Sequence, residues 1–183
     1  MRVIAGLYRG RIISTVNDRS VRPATDRVRQ TIFDILVTRM TLDGATVLDL
    51  FAGSGSLGIE ALSRGARHAM FVEDSPRIVR SIHQNLLALG CTPQSDVIQM
   101  DAGQYIQSVA GSFDLIFADP PYAYSRTRDL PDEILKGGFL KSGGFLIMEH
   151  TKDIAFAGTA LYRTGPVKRF GTTVVTFFEG ISA

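Results

Sequence analysis

Residues 49–58 read Asp49-Leu50-Phe51-Ala52-Gly53-Ser54-Gly55-Ser56-Leu57-Gly58, and this stretch decides the fold. A nearly continuous apolar run, Thr46–Phe51, enters it, as for a parallel strand covered on both faces. Helix-compatible sequence, Ser56 to about Ser63, leaves it and stops at Gly65. Between them lies G-x-G-x-x-G, and twenty residues beyond Gly53 stands Glu73, an acid spaced to hold two ribose hydroxyls. Glycines in that setting fit an NAD site, an S-adenosylmethionine site, or a tight strand-to-helix turn with no ligand.

The same alternation continues outward. Strands are expected at His68–Glu73, Asp96–Met100, Phe113–Ala118 and Phe145–Glu149. Ser75 caps a helix with Pro76 at its first position and Gly90 just past its end. Shorter helices are expected at Ala102–Val109 and around Asp132–Lys136. Upstream, Arg2–Ala5 and Arg11–Ser14 form a small hairpin around Gly6 and Gly10, and a helix runs from Thr25 or Asp26 to about Met40. Downstream, Ala160–Phe170, broken near Gly165-Pro166, and Thr172–Glu179 flank Gly171 as two antiparallel strands. The expected fold class is α/β: a doubly wound, mostly parallel sheet with one antiparallel strand in a C-terminal hairpin. At 183 residues it should form one domain, with residues 1–40 as a basic extension.

Ligands of such sheets bind at the carboxyl ends of the strands. Asp49, Glu73, Asp101 and Asp119 all fall there. Asp119-Pro120-Pro121-Tyr122 is the most distinctive of these ends. Two prolines remove two backbone donors and leave nearby carbonyls free to accept. A planar ring bearing an NH2 group would stack on Tyr122 and direct its amino hydrogens at Asp119 and a proline carbonyl. A pyrophosphate wants no carboxylate beside it, whereas S-adenosylmethionine carries an ammonium and a sulfonium. Asp49 and Asp119 therefore favour S-adenosylmethionine. Asp101-Ala102 is placed to receive an adenine amino group, or to cap the following helix, or both.

Composition excludes other classes. An apolar fraction of 45% with 21% charged residues is that of an ordinary soluble globular protein, and a single cysteine suits a reducing cytoplasm. No apolar run approaches a membrane span. Cys91 is the single cysteine, and His68, His83 and His150 lack metal-ligand spacing, so no metal is expected. Net charge is +2, but residues 1–40 carry eight arginines against three aspartates and no lysine. Such an arm suits a polyanion, because the guanidinium fork matches phosphate.

The order D-L-F-A-G-S-G, acid, D-A, D-P-P-Y is similar to the amino-methylating Rossmann-like methyltransferases. The front end, Met1–Gly6, Arg9-Gly10-Arg11 and Arg22–Phe33, together with Gly58–Ala66, resembles the bacterial 16S ribosomal RNA guanine-N2 methyltransferase family over roughly residues 1–150. Ala24, and Leu7-Tyr8 in the turn, depart from that family's more polar and more basic pattern. The resemblance implies S-adenosylmethionine-dependent methylation of one guanine N2 in small-subunit RNA by a monomer. It implies Asp119, Pro120, Pro121 and Tyr122 as catalytic residues. The donor would be held by Thr25, Asp49, Phe51, Ala52, Gly53, Ser54, Gly55, Glu73, Asp74, Asp101, Ala102 and Asp119. RNA would meet Arg9, Arg11, Arg22, Arg27 and Arg29, although Thr25 and Arg27 could instead close over the donor. A DNA adenine-N6 or protein glutamine-N5 methyltransferase would use similar chemistry. An NAD-dependent oxidoreductase would explain the glycines and Glu73 but leave Asp119–Tyr122 without a role.

Overall fold

The computed structural model describes residues 1–15 and 26–181. Seven strands form one sheet: β1 (Thr46–Leu50), β2 (His68–Glu73), β3 (Ser95–Gln99), β4 (Phe113–Ala118), β5 (Leu140–Thr151), β6 (Tyr162–Phe170) and β7 (Thr173–Gly180). Their order is β3-β2-β1-β4-β5-β7-β6. Every neighbouring pair from β3 through β5 is parallel, and β7 runs antiparallel to both β5 and β6. The expected mostly parallel sheet with one reversed strand is the observed one. Strand order reverses between β1 and β4, so their carboxyl ends splay apart and leave a crevice.

Helices α1 (Asp26–Leu36), α2 (Ser56–Ser63) and α3 (Pro76–Leu89) cover one face, and α4 (Ala102–Ser108) and α5 (Leu130–Lys136) the other. Alternation along β4 shows why. Leu115 and Phe117 join the core under α1–α3, while Ile116 and Ala118 join the core under α4 and α5. Gly90 ends α3 in the left-handed conformation, as its position past the last apolar residue requires.

Several element bounds shift by a residue or two from the sequence reading, and three differences have a local cause. Helix α1 stops at Leu36 rather than Met40, because Val37–Arg39 close as turns onto Phe33, Ile35 and Leu36 carbonyls. Strand β5 begins at Leu140, since the chain through Gly143-Gly144 is held against β4 by Phe113–Leu140 pairing. Strand β6 continues through Gly165-Pro166 with a register shift between Thr164 and Val167. Pro166 lies on the outermost strand, where a missing amide costs no ladder bond.

The N-terminal hairpin is sewn onto α2. Glu60, fully buried, accepts hydrogen bonds from the amides of Ile4 (2.8 Å) and Ala5 (3.0 Å) and from Arg64 Nε (2.8 Å). Ser63 adds three contacts: its carbonyl accepts from Leu7 N, its hydroxyl accepts from Tyr8 N, and that hydroxyl donates to the Ala5 carbonyl. Gly6 is obligatory here, because a Cβ on it would lie 1.8 Å from the Ser63 carbonyl oxygen. Between its two arms the hairpin has a single bridge, Arg2 to Ile12.

Arg29 must be reassigned. The RNA role expected for it is overturned by burial: it is 0% exposed and its guanidinium donates to Arg2 O and pairs with Asp26 at 2.8 Å. Burial also lowers its pKa from the usual guanidinium value, with Asp26 opposing that shift. A side chain that ties α1 to the hairpin cannot reach a phosphate. Arg22 and Thr25 lie outside the described residues.

Removing the acceptors of Glu60 strands two amides and a guanidinium. Glu60→Ala should therefore destabilise the protein by about 2–4 kcal/mol. Urea titration of the two proteins measures this, and a shift below about 1 kcal/mol would show that water replaces the carboxylate.

Candidate active site

The carboxyl ends of β1, β2 and β4 open into one cavity of about 690 Å³. Its floor is the loop after β1. Phe51 and Gly53 have φ of 58° and 54°, so the chain reverses through left-handed conformations that only the glycine adopts freely. Phe51 is the one non-glycine residue with positive φ among the described residues, and such strain is concentrated at functional loops. Its ring packs edge-on against Tyr124 at 5.0 Å between centroids. At Gly58 a Cβ would lie 2.4 Å from the Phe71 ring. That glycine lets α2 close on the sheet, and its amide donates to Asp49 Oδ2 at 2.9 Å.

Six acids line the cavity, and burial raises the carboxyls of four of them. Asp49 is 2% exposed, and burial raises its carboxyl to about 8, opposed by the Gly58 amide and reinforced by Asp119 and Glu73. Glu73 is held at both oxygens, accepting from Gly53 N (3.0 Å) and Ser75 N (3.1 Å). Burial raises it too, the two amides working against that shift. The carboxylate thus ties the glycine loop to the start of α3. Asp119 follows the end of β4, and burial lifts it to about 7. Glu149, near the end of β5, is raised to about 9 by burial and by Asp119.

Asp49, Phe51, Ala52, Gly53, Ser54, Glu73, Asp74, Asp101, Ala102 and Asp119, all expected at a donor site, line this single cavity, as do Pro120, Pro121 and Tyr122. Gly55 sits just behind it, its ideal Cβ position 3.3 Å from Phe71. Asp101 does cap α4, accepting from Gln104 N at 2.9 Å, and still faces the cavity. The Pro121 carbonyl is not free, because Tyr124 N donates to it at 2.8 Å in a tight turn. The Pro120 carbonyl accepts no hydrogen bond from a described residue. Tyr122 stands at the mouth, 58% exposed, its hydroxyl 3.1 Å from Thr173 Oγ1. A ring so exposed offers a free face for stacking. Arg9, Arg11 and Arg27 are exposed, and Arg11 donates to the Ala88 carbonyl. No group of three or more His, Cys, Asp or Glu side chains suited to a metal ion occurs among the described residues.

Sequence reasoning missed one wall. Glu149 and His150 from β5, and Phe170–Thr173 from the turn between β6 and β7, also line the cavity. Both ring nitrogens of His150 are committed, to the Thr151 carbonyl and the Thr176 hydroxyl, each at 2.8 Å. Glu149 had a signal available: it is one more acid at a strand's carboxyl end. Phe170–Thr173 had none, because its place beside Tyr122 depends on pairing of β7 with β5.

Sheet, glycine loop and acid-lined crevice together define a Rossmann-like methyltransferase fold. An Escherichia coli protein assigned as a methyltransferase superposes with a TM-score of 0.88 at 27% identity, over 100% of this chain and 99% of that one. A Thermus thermophilus structure matches at 0.83 and 30% identity, over 98% and 99%. The chain belongs to the family described as conserved hypothetical protein 95, whose profile matches residues 1–179. Among its relatives is ribosomal RNA small subunit methyltransferase D of Haemophilus influenzae, 34% identical over 84% of this chain and 80% of that protein. A Bacillus subtilis protein assigned as an rRNA methyltransferase is 38% identical over 87% of each.

The raised acids set a pH dependence. In the unfolded chain these carboxyls lose their protons near pH 4, while in the folded protein Asp119, Asp49 and Glu149 keep theirs to about 7, 8 and 9. The folded state therefore binds more protons between pH 4 and 9, and stability is lost as pH rises through that window. Unliganded protein should be less stable at pH 9 than at pH 6. Glu149→Gln, which removes one such group, should raise stability at pH 9 by more than about 1 kcal/mol and flatten the profile. Denaturant melts across pH check both, and an unaltered profile in the variant would place the linkage elsewhere.

Proposed function

We propose that this chain methylates the exocyclic N2 of a guanine in 16S ribosomal RNA of the small subunit, with S-adenosylmethionine as donor. It would act as a single-domain monomer in the cytoplasm. The observation that carries the reading is the juxtaposition at the β1/β4 crevice. A half-buried acid and an unengaged proline carbonyl lie beside an exposed tyrosine ring, next to an acid-rich pocket behind a glycine loop. Relatives named as small-subunit RNA methyltransferases support the choice of substrate.

The pocket suits such a donor. Three carboxyls raised by burial, those of Asp49 and Glu149 also by neighbouring acids, gain most from a cation, because each ionises more readily beside one. Glu73, locked by two amides, retains lone pairs for ribose hydroxyls, and Asp101 with Ala102 borders the space for adenine. When bound, S-adenosylmethionine supplies a methyl group on a positively charged sulfur.

The chain's own residues would do the rest. Guanine N2 is a weak nucleophile because its lone pair is delocalised into the ring. Asp119 and the Pro120 carbonyl accept its two hydrogens, which favours a pyramidal nitrogen with its lone pair turned toward the donor. Tyr122 stacks on the base and fixes its plane. Nitrogen becomes cationic as the new bond forms, and the Asp119 carboxylate stabilises that charge and then takes the proton. The base must be extruded or already unpaired to enter. Arg9, Arg11 and Arg27 would meet the RNA backbone, with Arg22 in the same basic segment.

Three outcomes are expected. Asp119→Ala should lower turnover on unmethylated small subunits at least about 100-fold. Glu73→Ala should weaken S-adenosylhomocysteine binding by about 1–3 kcal/mol in calorimetry. Arg9→Ala with Arg11→Ala should leave that affinity intact while reducing the log–log salt slope of RNA binding by about one per lost phosphate contact. Mass mapping of ribosomal RNA with and without the gene decides the target: no change at any guanine sinks the reading.

A further inference from the structure

We propose that Glu149 selects the base: its carboxylate accepts the ring N1–H of guanine while Asp119 accepts from the adjoining amino group. This rests on the reading of the site as a guanine-N2 methylation site and names the residue that would make it selective.

The geometry comes from the sheet. Ala118 of β4 pairs with Met148 of β5 in parallel register, so the next residues along each strand, Asp119 and Glu149, are neighbours at the crevice. Adjacent strands lie about 4.8 Å apart, so two carboxyls so placed can span two neighbouring hydrogens on one ring edge. Both acids line the same cavity, and the charge of Asp119 helps to raise the carboxyl of Glu149.

Glu149 is also unspent. It is 8% exposed, and its buried Oε1 has no hydrogen-bond partner among the described residues. Its neighbour His150 lines the cavity too, but both its ring nitrogens are engaged within the sheet. Buried polar atoms are nearly always paired, and one left open beside a ligand cavity is a site awaiting a donor. The catalytic scheme above does not use it.

Chemistry then separates the bases. Guanine presents N1–H beside its N2 amino group, two donors in a row. Adenine and cytosine present their amino groups beside a bare ring nitrogen, an acceptor. An ionised carboxylate only accepts. With a cationic donor in the cavity both acids are held ionised, so the pair matches guanine and repels the lone pair of the other two. A site built to bond a particular N–H rejects an analogue lacking it, because its own polar group is then left unpaired.

2-Aminopurine tests this, since it keeps the amino group and replaces N1–H with a bare nitrogen. Small subunits are reconstituted with guanosine or 2-aminopurine riboside at the mapped nucleotide and methylated by wild type, Glu149→Gln and Glu149→Ala. Wild type should prefer guanosine in kcat/KM by about tenfold or more. Glu149→Gln offers an amide N–H to the bare nitrogen and should shrink that ratio at least about tenfold, and Glu149→Ala should shrink it less. Comparing ratios across variants separates N1 from the missing O6 of the analogue. Retained S-adenosylhomocysteine binding shows that each variant is folded. Equal rates on both bases in wild type overturn the proposal before any variant is made, and so does a ratio unchanged in both variants. Absence of any N2-methylguanosine from the wild-type reaction is a different result, and it removes the methylation reading itself.

Discussion

Crowding of carboxyls at the ends of β1, β4 and β5 is the constraint on which the rest of the site depends. Asp49, Asp119 and Glu149 are pressed out of water in one crevice, and their carboxyls are raised to about 8, 7 and 9. An isolated buried carboxylate is costly, so the unliganded site holds protons that an exposed acid would shed. That cost is a reason for the shape around it. The Gly58 amide is spent on Asp49, and two further amides are spent on Glu73, while Glu149 keeps an unpaired oxygen for something that enters.

Backbone conformation follows from the same need. To bring amides to bear on Asp49 and Glu73, the chain after β1 must turn within a few residues, through a left-handed Phe51 and a left-handed Gly53. The phenylalanine is held there by its edge-on contact with Tyr124, in the loop that follows the two prolines. Loops from β1 and β4 therefore brace each other across the crevice. Gly58 allows α2 to approach β2 closely enough for its amide to reach Asp49.

The basic N-terminal segment proves to be two things in one. Its backbone is structural, held by Glu60 and Ser63 of α2, and one of its arginine neighbours, Arg29, is buried as a strut. What remains exposed, Arg9 above all, is carried on a turn whose position is set by those buried contacts. Helix α2 thus serves both ends: its first turn meets Asp49 and its last turn holds the arm.

How much of this was legible in the sequence depends on the range of the interactions involved. Apolar runs alternating with helix signals named all five parallel strands, the inner ones because a parallel strand covered on both faces is nearly continuously apolar, while the edge strand β3, Ser95–Gln99, is only half-buried. Gly90 after α3 and the G-x-G-x-x-G after β1 announced their turns, since few residues accept positive φ. Asp49, Glu73, Asp101 and Asp119 could be grouped from sequence because parallel strands point their carboxyl ends the same way. The wall made by Phe170–Thr173 could not be, because β7 reaches β5 only by antiparallel pairing whose register no local signal sets. Nor could the fate of Arg29 or the availability of Glu149. An arginine reads the same whether it faces solvent or a buried aspartate, and an acid at a strand end reads the same whether its oxygens are paired or open. Local chemistry and periodicity determined the strands, the turns and the grouping of acids at one end of the sheet. Only tertiary packing decided which charges were consumed in holding the fold and which remained to meet a substrate, because desolvation and pairing are properties of the surroundings rather than of the residue.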